Sequence, residues 1–139
     1  MMSKIFQTSY SKKSFNNKYG VPISLFNINK KDKIGIFEVG MDKKGEIDSL
    51  TKNIMPDVSV ITNISYAHIK NFQNLKGIAN AKSEIINNMP QHGSIILNAD
   101  DNFFKFFKSK SKKKKLRIVS FGINKKADVS LINIKIRKF

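Results

Sequence analysis

The sequence predicts an α/β domain with a mostly parallel sheet flanked by helices. Short apolar runs rich in β-branched residues alternate with segments of helical periodicity, the order typical of parallel strands joined by helical crossovers. Most of these runs are apolar almost throughout, as strands covered on both faces are. The chain has 139 residues, 40% of them hydrophobic, which suffices for the core of one domain at most.

Five runs predict the strands and two segments predict the helices. Four strand runs are nearly continuous in apolar residues and a fifth, placed at a sheet edge, alternates: 34–40, 58–64, 94–99, 116–121 and 127–136. Segments 45–53 and 74–89 have helical periodicity. The second ends at Met89, because a residue before proline disfavours the helical conformation.

One carboxylate interrupts the first of these strands. Glu38 lies near the carboxyl end of a run that is otherwise apolar and is typical of a buried strand. In parallel sheets, ligands bind at the carboxyl ends of the strands, an edge that we call the rim. The strand 58–64 leads to His68, just beyond its own carboxyl end. If the two strands are neighbours, both residues lie at the rim; from the residues alone, a solvated carboxylate and an exposed loop histidine are the alternatives.

A lysine lies on the apolar stripe of the second predicted helix. Lys82 follows Ile78 by four residues and precedes Ile85 by three. An ammonium directed at a core is costly unless it is paired or neutralised. Three arrangements remain open: the side chain reaches the surface, it pairs with a carboxylate such as Glu38, or the neutral amine takes up CO2. The resulting carbamate has anionic oxygens that suit a hard cation such as Mg²⁺.

Composition excludes several kinds of site. The chain has no cysteine, which excludes disulfides, thiolate zinc sites and cysteine nucleophiles. It has no apolar run close to the roughly 18 residues of a membrane span, and no apolar N-terminal leader. We therefore expect a cytoplasmic protein without a membrane partner.

The net charge of +16 raises the question of a nucleic-acid partner. The charge is nearly all lysine, with Arg117 and Arg137 the only arginines, and arginine is the usual reader of base edges. The densest basic run, 108–117, is typical of a solvated loop or helix end. Nucleic acid is therefore not the partner that the sequence favours.

Five motifs in order bring a known family into view. They are "NNKYGVP" (16–22), "FEVGMDKKGEIDSLTK" (37–52), "PDVSVITNISYAHIKNF" (56–72), "GIANAKSEI" (77–85) and "LNADD" (97–101). Over about residues 8–136 the chain resembles the central, ATP-binding domain of the Mur ligases, most closely the MurF type. Each motif alone is weak, whereas five in the family's order are specific.

The resemblance implies a reaction and its components. Mur ligases of this type add D-alanyl-D-alanine to UDP-N-acetylmuramoyl-tripeptide during cytoplasmic synthesis of peptidoglycan precursors. ATP phosphorylates the substrate carboxylate, and the incoming amine then attacks the acyl phosphate. The implied cofactors are ATP and Mg²⁺, with the cation on the phosphates as in other phosphoryl transfers.

The resemblance also implies roles for individual residues. Glu38 and His68 match the metal ligands, and His68 also belongs to the catalytic set. Lys82 matches a catalytic lysine that is carbamylated and supports Mg²⁺ or the acyl phosphate. Asn16 and Asn17 match paired asparagines near the γ-phosphate, and which of the two makes the contact stays open. The polar residues of "LNADD" either cap the following helix or contact nucleotide.

The chain departs from the family at the phosphate loop. The family's G-x-x-G-K-[ST] cradle is missing, since none of the seven glycines precedes a lysine. The resemblance thus implies that residues 1–139 form a partial central domain, without its first strand, the N-terminal UDP-sugar domain or the C-terminal domain.

We expect this chain alone not to be a competent ligase, and a companion chain carrying the phosphate loop is one source of the missing part. The alternatives are a non-catalytic basic α/β protein that binds RNA or another polyanion, and a decayed fragment without activity.

Overall fold

The computed structural model of the protein describes residues 2–67, 69–124 and 126–131. The strands are β1 Thr8–Tyr10, β2 Ile34–Ile36, β3 Val58–Ile61, β4 Ser94–Asn98, β5 Arg117–Gly122 and β6 Val129–Ser130. The α-helices are α1 Gly20–Phe26, α2 Glu46–Ile54, α3 Leu75–Lys82 and α4 Phe104–Lys113. Short 3-10 helices are Met2–Lys4, Ile69–Asn71 and Ser83–Asn88.

The strand pairs formed by the described residues are all parallel, which confirms the predicted fold class. β1 and β2 form a two-stranded sheet, and the other strands form a four-stranded sheet in the order β3-β4-β5-β6. Helix α4 packs on β4 and β5, while α2 packs on α3 and on Ser83–Asn88. None of the helices in the described part of the chain is long and apolar enough to cross a membrane.

The core consists of two clusters. The larger lies between the four-stranded sheet and its helices and contains Ile61, Ala79, Ile86, Met89, Ile95, Leu97, Phe107 and Leu116. The smaller cluster contains Met41, Ile47, Ile78 and Ala81. Ile64 and Ile85 pack against both clusters, so the two parts of the core are continuous.

The strand that carries Glu38 differs from the prediction. We expected a buried strand over 34–40, but β2 ends at Ile36, and that side chain is 48% exposed. β2 pairs only with β1 in the described chain, so its other edge has no strand beside it, unlike a central strand of a parallel sheet. The placement of Glu38 and His68 at one rim assumed that β2 and β3 are neighbouring strands. In the structure β2 and β3 belong to different sheets and do not pair.

The second predicted helix is regular only in its first half. Asn74 caps α3 by accepting a hydrogen bond from the Gly77 N–H at 3.0 Å. After Lys82 the chain tightens into the 3-10 helix Ser83–Asn88. The Ser83 hydroxyl donates to the Asn80 carbonyl at 2.6 Å, a local bond that competes with regular α-helical pairing.

The other predicted elements agree with the structure to within a few residues. The helix predicted at 45–53 is α2, and the strands 58–64, 94–99 and 116–121 are β3, β4 and β5. The basic run after Lys108 continues α4 to Lys113, as a helix end. The alternating run 127–136 contains the edge strand β6, and residues 132–136 lie outside the described residues.

Candidate functional site

Glu38 follows β2 and is held by the loop that precedes α1. The Asn16 Nδ2 atom donates a hydrogen bond to Glu38 Oε1 at 2.8 Å. The Glu38 N–H donates to Ser11 Oγ at 3.2 Å, and the Gly40 N–H donates to the Asn16 carbonyl at 2.7 Å. Because these backbone groups bond to the loop, the segment after Ile36 leaves the sheet and presents an exposed carboxylate.

Gly40 makes the close approach of this loop sterically feasible. A Cβ atom built on Gly40 would lie 3.0 Å from Asn16 Cγ and 3.2 Å from the Asn16 carbonyl oxygen. Glycine is the residue that leaves this space open. The Gly in the "EVG" motif therefore serves the contact between Asn16 and Glu38.

Asn17 has a different role from its neighbour. Its Oδ1 atom accepts hydrogen bonds from the N–H groups of Tyr19, at 3.1 Å, and Gly20, at 3.0 Å. Gly20 is the first residue of α1, so this side chain stabilises the start of that helix. The sequence could not distinguish the two asparagines, but in the structure their side chains have different hydrogen-bond partners.

Lys82 is half-buried at the end of α3 and directed at the segment after β3. Its Nζ atom donates to the Asn63 carbonyl at 2.9 Å. Burial lowers the pKa of Lys82 below its ordinary value, and attraction to the Asp101 carboxylate opposes part of that shift. Of the three arrangements left open, an ion pair with Glu38 is not formed, since no salt bridge among the described residues joins the two.

Lys82 and Glu38 lie beside the same packing cluster. Ala81, next to Lys82, belongs to the smaller core cluster, and Val39, next to Glu38, packs against that cluster. The cluster therefore couples the segment after β2 to the end of α3. His68 lies outside the residues that the structure describes, so its position relative to this pair stays a prediction.

The "LNADD" motif connects the ends of three strands. Asp101 Oδ1 accepts from the Phe103 N–H at 2.7 Å, just before α4, and its Oδ2 accepts from the Ile64 N–H at 2.7 Å. Asn98 Nδ2 donates to the Thr62 carbonyl at 3.0 Å. Asp100 accepts from the N–H of Ile123. Asp101 thus fixes the turn that precedes α4, whose N-cap residue Phe103 makes no side-chain cap hydrogen bond, and whether the motif contacts nucleotide stays a prediction. No local pattern indicated the contact between Asp101 and Ile64.

The sequence profile described as the Mur ligase middle domain matches residues 1–139. The chain belongs to this family. The predicted resemblance to the Mur ligases is therefore confirmed, and the fold around Glu38 and Lys82 is that of a Mur ligase middle domain.

Relatives and solved structures give the same assignment. The UDP-N-acetylmuramoyl-tripeptide–D-alanyl-D-alanine ligase of Buchnera aphidicola subsp. Baizongia pistaciae is 37% identical over 123 residues, which are 87% of this chain and 26% of that protein. A crystal structure of MurF from Acinetobacter baumannii has a TM-score of 0.83 at 33% identity and covers 87% of this chain and 26% of that chain. A crystal structure of MurF ligase from Thermotoga maritima in complex with ADP has a TM-score of 0.76 at 25% identity, covering 87% and 27%.

This Mur ligase middle domain spans about a quarter of the length of the first relatives that it matches, 26% and 27%. Within the described residues no group of three or more histidine, cysteine, aspartate or glutamate side chains is placed to hold a metal ion. Mg²⁺ is usually bound by one or two carboxylates together with water and substrate phosphates. Glu38, with one carboxylate oxygen held by Asn16, fits such an open site rather than a closed protein cage.

Proposed function

We propose that this chain forms the middle-domain part of an ATP-dependent ligase that adds D-alanyl-D-alanine to UDP-N-acetylmuramoyl-tripeptide in the cytoplasm. The observation that carries the proposal is the match of ligases of that name to 87% of the chain, including the motifs around Glu38 and Lys82. In this reaction the γ-phosphoryl group moves from ATP to the substrate carboxylate, which releases ADP. The dipeptide amine then attacks the acyl carbon, phosphate leaves, and the nitrogen loses a proton to give the amide.

The residues of this chain would hold the components in place. Glu38 and, by resemblance, His68 are the ligands that we assign to Mg²⁺, with Asn16 fixing the Glu38 carboxylate. Mg²⁺, when bound, neutralises the negative charge of the phosphates during transfer. The Lys82 end of α3 lies against the same cluster as the Glu38 segment, which supports a common site.

The surroundings of Lys82 favour carbamate formation. A neutral Nζ attacks the carbon of CO2, one N–C bond forms, and the nitrogen releases one proton. The lowered pKa of the half-buried amine favours this neutral form. The carbamate nitrogen keeps one N–H, which suits the bond that Lys82 donates to the Asn63 carbonyl.

Nucleotide binding would need a segment with a phosphate loop, because these 139 residues lack the motif. The edges of β2 and β3 support a site for an additional strand. Among the described residues β3 pairs only with β4 and β2 only with β1, so each of these strands has one edge with no strand beside it. We propose that a companion chain bearing a Gly-rich loop docks here as an apolar strand, which would pair unused backbone groups.

Calorimetry with Mg-ATP tests the function and the companion together. The chain would be titrated alone and after mixing with a separately made segment that carries the phosphate loop. Binding only in the mixture, lost in Glu38→Ala, is the expected result. Binding in neither sample contradicts the proposal and favours a decayed fragment without activity.

The polyanion alternative is not favoured by the basic helix α4. Two lysines at its C-terminal end make internal hydrogen bonds: Lys110 Nζ donates to Ser83 Oγ at 2.8 Å, and Nζ of Lys114, just after the helix, donates to the Asn87 carbonyl at 2.8 Å. These contacts fasten the helix to Ser83–Asn88. The remaining lysines form a solvated face of the kind that such runs usually make.

A further inference from the structure

The hydrogen bond between Asn16 and Glu38 joins residues 22 positions apart. Glu38 is exposed, and an exposed glutamate samples several rotamers unless a neighbour restricts it. Asn16, a half-buried residue, restricts this carboxylate with an exposed hydrogen bond of 2.8 Å between Nδ2 and Oε1. The contact therefore selects one orientation of a group that would otherwise be free to turn.

Asn16 is held in place independently of Glu38. Its carbonyl accepts the Gly40 N–H at 2.7 Å, and its own N–H donates to the Ser14 carbonyl at 2.8 Å. Its side chain lies over Gly40, where a Cβ atom would stand only 3.1 Å from Nδ2. The donor is thus positioned by the backbone on both sides before any ligand arrives, which is the arrangement expected of a preorganised support.

The bond leaves one oxygen of Glu38 available. A carboxylate has two oxygens with about four lone-pair directions. Oε1 accepts from Asn16, whereas no hydrogen bond or ion pair within the described ranges ends on Oε2. Oε2 is therefore the atom that a hard cation or a cation-bound phosphate would meet.

We propose that Asn16 is a positioning residue that orients the Glu38 carboxylate, so that Oε2 faces a divalent cation. Asn17 does not share this role, because its Oδ1 is engaged at the start of α1. The part of the inference that concerns the cation rests on the proposed function. The hydrogen bond and the orientation of Glu38 do not.

Nuclear magnetic resonance on the full 139-residue chain tests the orientation without any ligand. In Glu38→Ala the side-chain amide protons of Asn16 lose their acceptor, so we expect their resonances to move upfield and their exchange with water to become several-fold faster. In Asn16→Ala we expect the carboxyl ¹³C resonance of Glu38 to move. We expect the control Asn27→Ala, which removes an exposed bond from Asn27 Nδ2 to the Ile23 carbonyl at 2.8 Å, to leave both signals unchanged. Asn16 amide signals that do not respond to Glu38→Ala overturn the inference.

Binding of Mn²⁺, followed by electron paramagnetic resonance, tests the consequence for the cation. Loss of a residue that orients a metal ligand typically weakens binding by about 10-fold to 100-fold. We expect a loss of about 10-fold in Asn16→Ala and no change in the control Asn27→Ala. Equal affinity in wild type and Asn16→Ala overturns the positioning role. If wild type binds no Mn²⁺, the metal part of the proposed function fails instead, and the response of the Asn16 amide to Glu38→Ala decides the inference alone.

Discussion

Replacing Gly40 by alanine should destabilise the chain and break the contact between Asn16 and Glu38. The new Cβ would meet three atoms of Asn16 at 3.0 to 3.2 Å, one of them a backbone oxygen. Contacts this short force neighbouring atoms to shift, and such overpacking typically costs about 1–3 kcal/mol. Because Asn16 and Gly40 are joined by a backbone hydrogen bond of 2.7 Å, the displacement would fall on the loop that supports Glu38.

Gly77→Ala provides the matched control, since it is the same chemical change in an open environment. A Cβ atom on Gly77, in α3, would have Phe72 Cβ as its nearest neighbour at an ordinary 3.5 Å. Alanine is favoured over glycine within a helix by roughly 0.5–1 kcal/mol. We therefore expect the two substitutions to change the free energy of unfolding in opposite directions, by a total of about 2 kcal/mol.

Urea unfolding measures this difference directly. With a urea m-value of about 2 kcal/mol per M, the midpoints of the two variants should differ by about 1 M. The Asn16 side-chain amide resonances should change in Gly40→Ala and not in Gly77→Ala. The reasoning is refuted if Gly40→Ala unfolds at the wild-type midpoint with unchanged Asn16 signals.

Three further predictions concern the core and the charged groups. Ile95→Ala, at a fully buried position, should lower the free energy of unfolding by about 2–5 kcal/mol. Val60→Ala, at a half-exposed position on β3, should lower it by under about 1 kcal/mol. Equal losses in urea unfolding would contradict the assignment of Ile95 to the core. Because burial lowers the pKa of Lys82 in the folded chain, the unfolded chain binds more protons just below the ordinary lysine pKa of about 10.4. The free energy of unfolding should therefore rise with pH in that range, and it should rise less in Lys82→Met. Parallel urea-unfolding profiles of the two proteins between about pH 8 and pH 10 would argue against this role of Lys82. Hydrogen bonding from Asn87, with support from Lys52, lowers the pKa of Asp48 in the folded chain. The stability that this carboxylate contributes is therefore present above the unfolded pKa of about 3.9 and is lost as the pH falls through the folded pKa. The melting temperature of Asp48→Asn should fall less with acid than that of the wild type, and an equal fall in both proteins would count against the role of Asp48.

The central strands were predictable because their signal is local. Ile95 and Leu97 of β4 are buried within a short, β-branched, apolar run, and periodicity identifies such runs. β1 and α1 were not predicted, since "TSY" is short and polar and "GVPISLF" contains both glycine and proline, which are weak helix formers. The predicted length of β2 was wrong for another reason. The apolar run continues to Val39, but the backbone after Ile36 forms hydrogen bonds with the loop around Asn16, a tertiary contact that has no local signal in the sequence.

The same distinction applies to the candidate site. Glu38 and Lys82 were conspicuous in the sequence because each breaks an apolar pattern, at a strand end and on a helix stripe. Asn16 and Asp101 break no pattern, and their partners lie 22 and 37 positions away. Only the fold brings a hydrogen-bond donor to the Glu38 carboxylate and a carboxylate to the Ile64 N–H. The candidate functional residues could therefore be inferred from the sequence, whereas the hydrogen bonds that hold them could not.

The same contacts indicate how a chain with two separate sheets could hold the proposed site. Glu38 belongs to the segment after the two-stranded sheet, and Lys82 bonds to Asn63 in the segment after β3 of the four-stranded sheet. Val39 and Ile64 both pack against the smaller core cluster, which lies between these two segments. No strand pairing joins the sheets in the described residues, so the relative placement of Glu38 and Lys82 depends on this packing. Any strand added between β2 and β3 would therefore reinforce a geometry that the helices and the cluster have already set.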